Sequence, residues 1–434
     1  MRTIPFVTSD RDLYHRVEAL KQSADGFDGD MELIADANDA LEFLNVETPD
    51  LVFINFSDPV VDGFALLDGI LKDPWLHHAG IIGFCADSDV TDRLEKNRGI
   101  NLVASLTDYD IERYLPRILR IVGKNQRILC QRGIGLDLVQ TLSGSFQLEN
   151  DALEANCYAN LLCNFLFNTN KIDAGGKMYV SVALVEMLIN AIEHGNCGIS
   201  YAEKSAWLEE GNMMRDLIAK KCQEPAVRGK RVLFEYTIAP DKSTFFIADE
   251  GIGFDWRGQV APPTSAGAAD PGGSVHALHG RGIKMTRKYT KNLRYNDNGN
   301  EVRFEVEHQA DGLSRKPGLF ENIAPTIVKP GDIVFHEGEP GDFLYYIAKG
   351  RYDVIVGDAV VASLSADDIL MGEMAFLLNN RRTATVRAAT PGTLIRMSKK
   401  DFVEAIKAKP HYGLFLARLL AQRVARTRAG QSPR

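Results

Sequence analysis

Glu186, Asn190 and His194 stand four residues apart in the stretch Glu186-Met-Leu-Ile-Asn190-Ala-Ile-Glu-His194-Gly195. On a helix that spacing puts all three on one face. Leu184, Leu188 and Ala191 turn elsewhere, toward a core. The side-chain oxygen of Asn190 is a hard ligand suited to Mg²⁺. A carboxylate one turn earlier, at Glu186, could orient or deprotonate a nucleophile. His194 has two uses open to it. It could join the same face, or it could interact with the helix C-terminus just before Gly195.

Two glycine-bearing segments follow. Asp249-Glu-Gly251-Ile-Gly253-Phe comes directly after Thr244-Phe-Phe-Ile-Ala, which reads as a strand. Gly280-Arg281-Gly282-Ile283 opens a helical pattern that runs to Tyr289. Glycines beside a helix start let backbone N–H groups approach phosphates. With the Glu186–Gly195 stretch, these three elements in this order resemble the N, G1 and G2 boxes of the Bergerat-type ATPases, over about residues 140–308. That superfamily holds gyrase-like enzymes, histidine kinases and anti-sigma-factor serine kinases. Asn190-Ala-Ile-Glu-His-Gly-Asn196 and Gly280-Arg-Gly-Ile283 look most like the anti-sigma-factor branch. The resemblance implies that Asn190 binds Mg²⁺, Asp249 reads the adenine amino group and Glu186 is the base. It also implies that His194, Gly251, Gly253, Gly280, Arg281 and Gly282 shape the ATP pocket and its lid. The low-complexity piece Val260–Ser274 lies between Asp249 and Gly280, where a lid belongs, and is expected to be mobile. No histidine occurs between His78 and His194. A self-phosphorylating histidine in the usual place before the ATPase module is therefore excluded, which leaves a module that acts on or grips another protein.

A third constellation lies near the C-terminus. Gly372-Glu373-Met374-Ala375 precedes Arg381-Arg382-Thr383-Ala384. A glycine-led short helix beside an arginine fork can cradle a cyclic phosphate, and a nearby carboxylate can accept a ribose hydroxyl proton. This resembles the phosphate-binding cassette of cyclic-nucleotide-binding domains, over about residues 320–428. The resemblance implies that Arg382 binds phosphate and Glu373 the ribose. Gly372, Met374, Ala375, Thr383 and Ala384 would complete the pocket. Met371 departs from the family's usual Phe. Thr383 is a hint of cGMP rather than cAMP.

These side chains need elements to hold them. Residues 4–122 alternate short apolar runs (Ile4–Val7, Leu51–Asn55, Ile81–Cys85, Leu102–Ser105) with helical patterns (Leu13–Lys21, Ala40–Leu44, Phe64–Leu71, Ile111–Val122). That alternation implies a parallel sheet with helices on both faces. Pro49–Asn55 and Pro59-Val-Val-Asp62-Gly63 resemble a response-regulator receiver domain. The phosphoacceptor position falls on Asn55, and an amide cannot be the nucleophile that a carboxylate is. The acidic pair falls on Thr8 and Ser9, with Asp10 adjacent, and the later Thr/Ser position on Cys85. The expectation is a pseudo-receiver used for packing or partner binding. Asp110 to about Ser143 is largely helix-compatible. It reads either as a signalling helix or dimer seam, or as a last receiver helix plus connector. From Ile327 the texture is all-β, punctuated by Gly331, Gly338, Gly341, Gly350 and Gly357. The terminal helix, about His411 to Arg428, is amphipathic and basic and reads as a lid for the cyclic nucleotide. Residues 199–224 are a candidate partner surface or an ordinary insertion.

The expected organisation is multidomain. A doubly wound α/β receiver-like unit (1–124) and a connector helix (125–143) precede an α+β sandwich ATP-binding domain (144–310). A linker (311–319) then leads to a β-roll or jelly roll with flanking helices (320–434). The 434 residues are 45% hydrophobic and 25% charged. No apolar run reaches a membrane span and no signal-peptide core is seen. Net charge −8 disfavours nucleic-acid binding. Six cysteines without a Cys-x-x-Cys pair fit reduced thiols of a cytoplasmic protein. The functional expectation is a signalling regulator with ATP, Mg²⁺ and a cyclic nucleotide (cAMP or cGMP) as ligands. Its activity would be that of an anti-sigma-factor-type serine/threonine kinase or partner-switching protein. The partner would be a sigma factor or anti-sigma antagonist, and the chain could form a homodimer. A non-enzymatic ATP-holding switch or scaffold is the alternative.

Overall fold

A computed structural model describes residues 3–24, 26–73, 77–97, 99–129, 141–253, 290–308, 316–320 and 322–430. The N-terminal unit alternates β1 (Ile4–Val7), α1 (Arg11–Gln22), β2 (Met31–Ile34), α2 (Ala37–Glu47), β3 (Leu51–Asn55) and α3 (Gly63–Lys72), then β4 (Gly80–Cys85), α4 (Ser88–Glu95), β5 (Leu102–Thr107), α5 (Ile111–Lys124) and the short α6 (Gln126–Leu129). The strands form one parallel sheet in the order β2-β1-β3-β4-β5, the flavodoxin-like order. Successive side chains leave opposite faces. Phe6, Phe53 and Phe84 join one core with Leu115 and Leu119 of α5, while Val52 and Ile54 join another with Leu44 of α2 and Leu67 of α3. Helices therefore cover both faces, as the alternation implied. The sequence reading missed β2 and α4. Ile34 is the one buried residue of β2 and Leu94 that of α4, so neither carries a strong apolar pattern. Asp10, Asp36, Asp62 and Asp87 cap α1 to α4 by accepting from first-turn amides.

The next unit opens with β6 (Leu142–Leu148). This corrects the expectation of helix to about residue 143. The alternation of Leu142, Phe146 and Leu148 against Ile238, Phe234 and Val232 in an antiparallel register makes it a strand. Then come α7 (Ala152–Asn168), α8 (Ala174–Asn190), a π-helical turn (Ala191–Asn196), α9 (Tyr201–Glu209), α10 (Met214–Lys221), β7 (Val232–Ile238), β8 (Lys242–Ala248), β9 (Lys291–Tyr295) and β10 (Glu301–Glu307). The sheet order is β6-β7-β8-β10-β9, all antiparallel. One sheet face, including Phe234, Phe245 and Phe304, packs with Leu162 and Phe165 of α7 and Leu184 and Leu188 of α8. The continuous stretch Ala174–Asn196 is long and apolar enough to cross a membrane by length and composition, contrary to the sequence expectation. Its apolar side, Val180, Leu184, Leu188 and Ile192, lies in this core.

The core of this unit is continuous with that of the α/β unit. β5 is an edge strand, and α7 covers its open side. Asn160 and Asn164, one turn apart, donate to the carbonyls of Val103 and Leu102 at 3.2 and 2.9 Å. Asn101 donates to Asn168 at 3.2 Å. The carboxamides thus take the place of a further strand and protect the edge. Arg215 of α10 adds an ion pair to Asp110 at 2.9 Å. The 199–224 segment is therefore partly an intrachain brace.

The C-terminal unit is a sandwich of two four-stranded sheets, with strands β11 (Pro325–Val328), β12 (Ile333–Phe335), β13 (Phe343–Lys349), β14 (Tyr352–Val356), β15 (Ala359–Leu364), β16 (Leu370–Met371), β17 (Thr385–Ala388) and β18 (Gly392–Ser398). The sheet orders are β11-β18-β13-β16 and β12-β17-β14-β15. The helices are α11 (Glu373–Leu377), α12 (Lys399–Ala408) and α13 (His411–Gly430). Leu416 and Leu419 of α13 pack into the roll with Phe376 of α11. Tyr412 donates its hydroxyl to buried Asp73 of the α/β unit, and Arg418 donates to the Val46 carbonyl at 2.6 Å. The terminal helix thus also rests on the first unit.

Candidate functional site

Glu186 stands exposed on α8, and Asn190, half-buried, ends that helix. The four-residue face stops there, because the next turn is π-helical: the Cys197 amide donates to the Ile192 carbonyl at 2.9 Å. Single π turns inside helices recur at functional sites. His194 lies within this wider turn. Its Nδ1 lies 2.6 Å from the Ile199 carbonyl and its ring lies against Tyr201. These contacts fit the structural use of His194 near the helix end.

The same turn delivers Gly195 and Asn196 to β8. A Cβ on Gly195 would collide with the Asp249 carboxylate, and one on Gly251 would collide with the Gly195 carbonyl. Only glycines permit this approach. Gly253 sits at φ +78°, against the Asn298 carbonyl. Asn196, 1% exposed, accepts from the Glu250 amide at 2.8 Å and donates to Asn150 at 2.8 Å. Lys230 donates to the Asn196 carbonyl at 3.3 Å. Burial pushes the Asp249 carboxyl up to about 6, opposed by donation from the Gly251 amide and by Lys230. Asp249 thus has an oxygen held at 2.8 Å from Gly251 and stands in a desolvated setting where one further donor would be well rewarded. Gly280, Arg281, Gly282 and the 260–274 stretch lie outside the described residues.

Among the described residues no cluster of three or more His, Cys, Asp or Glu could hold a metal. A single carboxamide oxygen at Asn190 nevertheless fits Mg²⁺ brought with phosphates. That ion keeps several waters and takes most of its other ligands from the substrate.

In the C-terminal unit, Gly372 precedes α11 at φ +76°, and a side chain there would collide with the Arg382 guanidinium. Arg382 is 4% exposed. It donates to the carbonyls of Gly372 at 2.7 Å and Phe343 at 2.5 Å, and lies 4.2 Å over the Phe335 ring. Burial pulls its pKa down, and Tyr345, Glu339, Asp342 and Glu373 counter that. Its Nε is buried without a partner. A buried guanidinium with an unmet donor fits an anionic phosphate. Ala375 and Ala384 are buried beside it, Glu373 is half-buried, and Met374 and Thr383 are exposed. Gly341 brings its turn against the Ala375 backbone. Met371, 1% exposed, packs in the core of the roll with Phe335 and Tyr345.

The α/β unit holds a third polar cluster. Asn55 donates to Thr8 Oγ1 at 3.2 Å and accepts from the Ser57 amide at 3.0 Å. Thr8 and Ser9 hydroxyls donate to Asp58 at 2.7 Å each, and the Ser9, Val60 and Val61 amides add 2.6, 2.9 and 2.9 Å. Burial opposes ionisation of Asp58, yet this donation holds its carboxyl well below the usual range. The Asp10 carboxylate caps α1, while its amide donates to Thr8 Oγ1 at 3.1 Å. Sequence reasoning missed Asp58, Gly195, Asn196, Lys230 and Asn150. Gly195 and Asn196 stood inside the motif already noted, whereas Lys230 and Asn150 are distant in sequence and carried no signal.

Residues 161–306 match the family described as Histidine kinase-like ATPase domain, and residues 325–409 match that described as Cyclic nucleotide-binding domain. A cGMP-dependent protein kinase of Plasmodium berghei is 36% identical over 81 residues, 19% of this chain and 9% of that protein. A cAMP-dependent protein kinase type II regulatory subunit of Drosophila melanogaster is 39% identical over 75 residues, 17% of this chain and 20% of that protein. The chain thus spans a fifth or less of the length of these relatives. A solved cyclic nucleotide-binding domain from Methylobacillus flagellatus is 24% identical with TM-score 0.24, covering 25% of this chain and 64% of that one. The chain carries a C-terminal cyclic nucleotide-binding domain and, before it, a histidine kinase-like ATPase domain.

Proposed function

We propose that this chain is a signalling regulator in which a cyclic nucleotide, cAMP or cGMP, gates an ATP module that acts on a protein partner. The observation that carries the ATP half is the meeting of Gly195, Asp249 and Gly251, where glycines give a desolvated carboxylate room beside Asn190's helix. Asp249 accepts from the adenine amino group, and the Gly251–Gly253 turn shapes the pocket floor. Asn190 holds Mg²⁺ through its carboxamide oxygen. When bound, Mg²⁺ neutralises phosphate charge. In the leading version the module is a serine/threonine kinase of the anti-sigma-factor type. Glu186 there takes the proton of the incoming hydroxyl. The α/β unit is a degenerate receiver: Asn55 cannot be phosphorylated as a carboxylate is, and Asp58 is already satisfied by Thr8 and Ser9. It serves as a docking surface and as a brace for α7.

One observation favours a second version, an ATP-holding switch without transfer. Glu186 is exposed and has no hydrogen-bond partner among the described residues to orient it. Phosphotransfer to a sigma factor or anti-sigma antagonist that survives Glu186→Gln unchanged would sink Glu186 as the base, and absence of phosphotransfer to either in the unaltered chain would leave only the switch. The primary test is calorimetric titration of cAMP, then cGMP, with and without Mg²⁺ and a non-hydrolysable ATP analogue. An affinity that shifts several-fold with the analogue is the expected result, and reciprocity requires the same factor in the reverse titration. Unchanged affinity leaves two independent sites and a scaffold.

A further inference from the structure

Between the α/β unit and the ATPase unit lies a cleft of about 810 Å³. That volume is within the roughly 300–1,000 Å³ typical of small-molecule sites. One wall comes from β5 and α5, the other from α7, α8 and α10. None of Asn190, Asp249 or Arg382 lines it; Asn150, which accepts from Asn196, is where it borders the cluster around Asp249.

Its charges are unevenly matched. Asp110 pairs with Arg215 at 2.9 Å, and Glu149 and Asp151 pair with Arg117 at 2.5 and 3.5 Å. Glu95 accepts from the Ser105 hydroxyl at 2.6 Å. Arg113 and Arg228, both exposed at the cleft, have no acidic partner among the described residues. Unmatched positive charge in a chain of net charge −8 is a local exception. Deeper in, Asn164 is 2% exposed. Its Nδ2 is engaged by the Leu102 carbonyl, while its Oδ1 is buried with no partner. Arg215 Nε is buried and unmatched too. Asn164 Oδ1 is satisfied by a ligand that brings a donor, and Arg215 Nε by one that brings an acceptor. Met178, Ile218 and Leu153 offer apolar surface beside these groups.

We propose that this cleft binds a small organic anion that carries hydroxyl or amine donors, its charge toward Arg113 and Arg228 and a donor on Asn164 Oδ1. Such a ligand touches both units at once and bears on α8, whose far end carries Asn190. It is a third input, independent of whether either nucleotide site behaves as proposed.

Ribose 5-phosphate and citrate supply the two anion chemistries with hydroxyl donors, and neither is a purine nucleotide. Thermal-shift and calorimetric titrations of the full chain with each probe, at saturating ATP analogue, are the test. The expected result is stabilisation by at least one probe. Its affinity should fall about tenfold or more in Arg113→Glu and Arg228→Glu, the loss of a charge-assisted contact. Both arginines are exposed, so these variants keep the fold, and unchanged cyclic-nucleotide affinity verifies it. Preference for one probe identifies phosphate or carboxylate as the anion. No stabilisation by either probe at 10 mM (a concentration on the order of weak-ligand Kd values), or stabilisation that both variants retain, overturns the proposal.

Discussion

Two carboxylates in this chain sit near the ends of β-strands and have opposite fates. Asp58 in the α/β unit accepts from two hydroxyls and three amides, and its carboxyl is held well below the usual range. Asp249 in the ATPase unit is more deeply set, accepts at 2.8 Å from Gly251 and is pushed up to about 6. The difference is one of donors per desolvated oxygen. A carboxylate that its own backbone satisfies is a structural knot, and a ligand could only compete with bonds already made. One that burial leaves short of donors gains from a ligand that supplies them. The same logic separates Arg382, with its unmatched buried Nε, from an ordinary core cation.

The comparison can be broken most directly at Arg382. Arg382→Ala is expected to lower cyclic-nucleotide affinity by about 100-fold, some 2–3 kcal/mol, typical of removing a charged hydrogen-bond partner. Calorimetry on the full chain measures it, and a near-wild-type affinity would show the cradle works without its guanidinium.

Asp249→Asn should abolish binding of the ATP analogue while raising stability near neutral pH. The sign follows from the raised value. Asp249 titrates at about 6 in the fold against 3.8 ordinarily. Its favourable contribution is full below about pH 4 and is lost as pH rises through 6. The Tm of Asp249→Asn relative to wild type should therefore climb between pH 4 and pH 7 and then level off. A flat difference would mean that the carboxylate is not desolvated.

Asp58→Asn should do the reverse. Its lowered carboxyl contributes stability above 3.8 that is lost as pH falls through the folded value. An amide there turns a donor toward the Val60 and Val61 amides or the hydroxyls of Thr8 and Ser9. A loss of about 1–3 kcal/mol at pH 7 in denaturant unfolding is expected, the cost of leaving buried groups unmatched. ATP-analogue affinity should not change. The companion Asn55→Asp adds a like charge near Asp58 and should destabilise without restoring phosphorylation by acetyl phosphate.

The smallest effect belongs to a third carboxylate. Asp73 is buried and takes its bond from Tyr412, from a unit far along the chain. Tyr412→Phe should cost about 1 kcal/mol, the ordinary worth of a hydrogen bond. It should do so in the full chain and not in the C-terminal unit alone, residues 316–434. Equal effects would mean that Tyr412 matters only inside the roll.

The sequence by itself determined the α/β alternation, the all-β texture after Ile327, and the local groups around Asn190, Asp249 and Arg382. Those signals are short-range: apolar periodicity, glycine where φ must be positive, and arginine at a fixed distance from Gly372. Tertiary structure decided what lies across the chain. A π turn seats Gly195 on Asp249, 54 residues away in sequence, and holds His194 against Ile199 and Tyr201. The helix-compatible run near Leu142 became β6 because β7 offered it a partner, and strand identity is conferred by that pairing more than by intrinsic preference. The roles of Asp58, Asn164 and Tyr412 were likewise invisible. A polar side chain's role is set by how many donors the fold brings to it, and that count exists only once distant segments have packed.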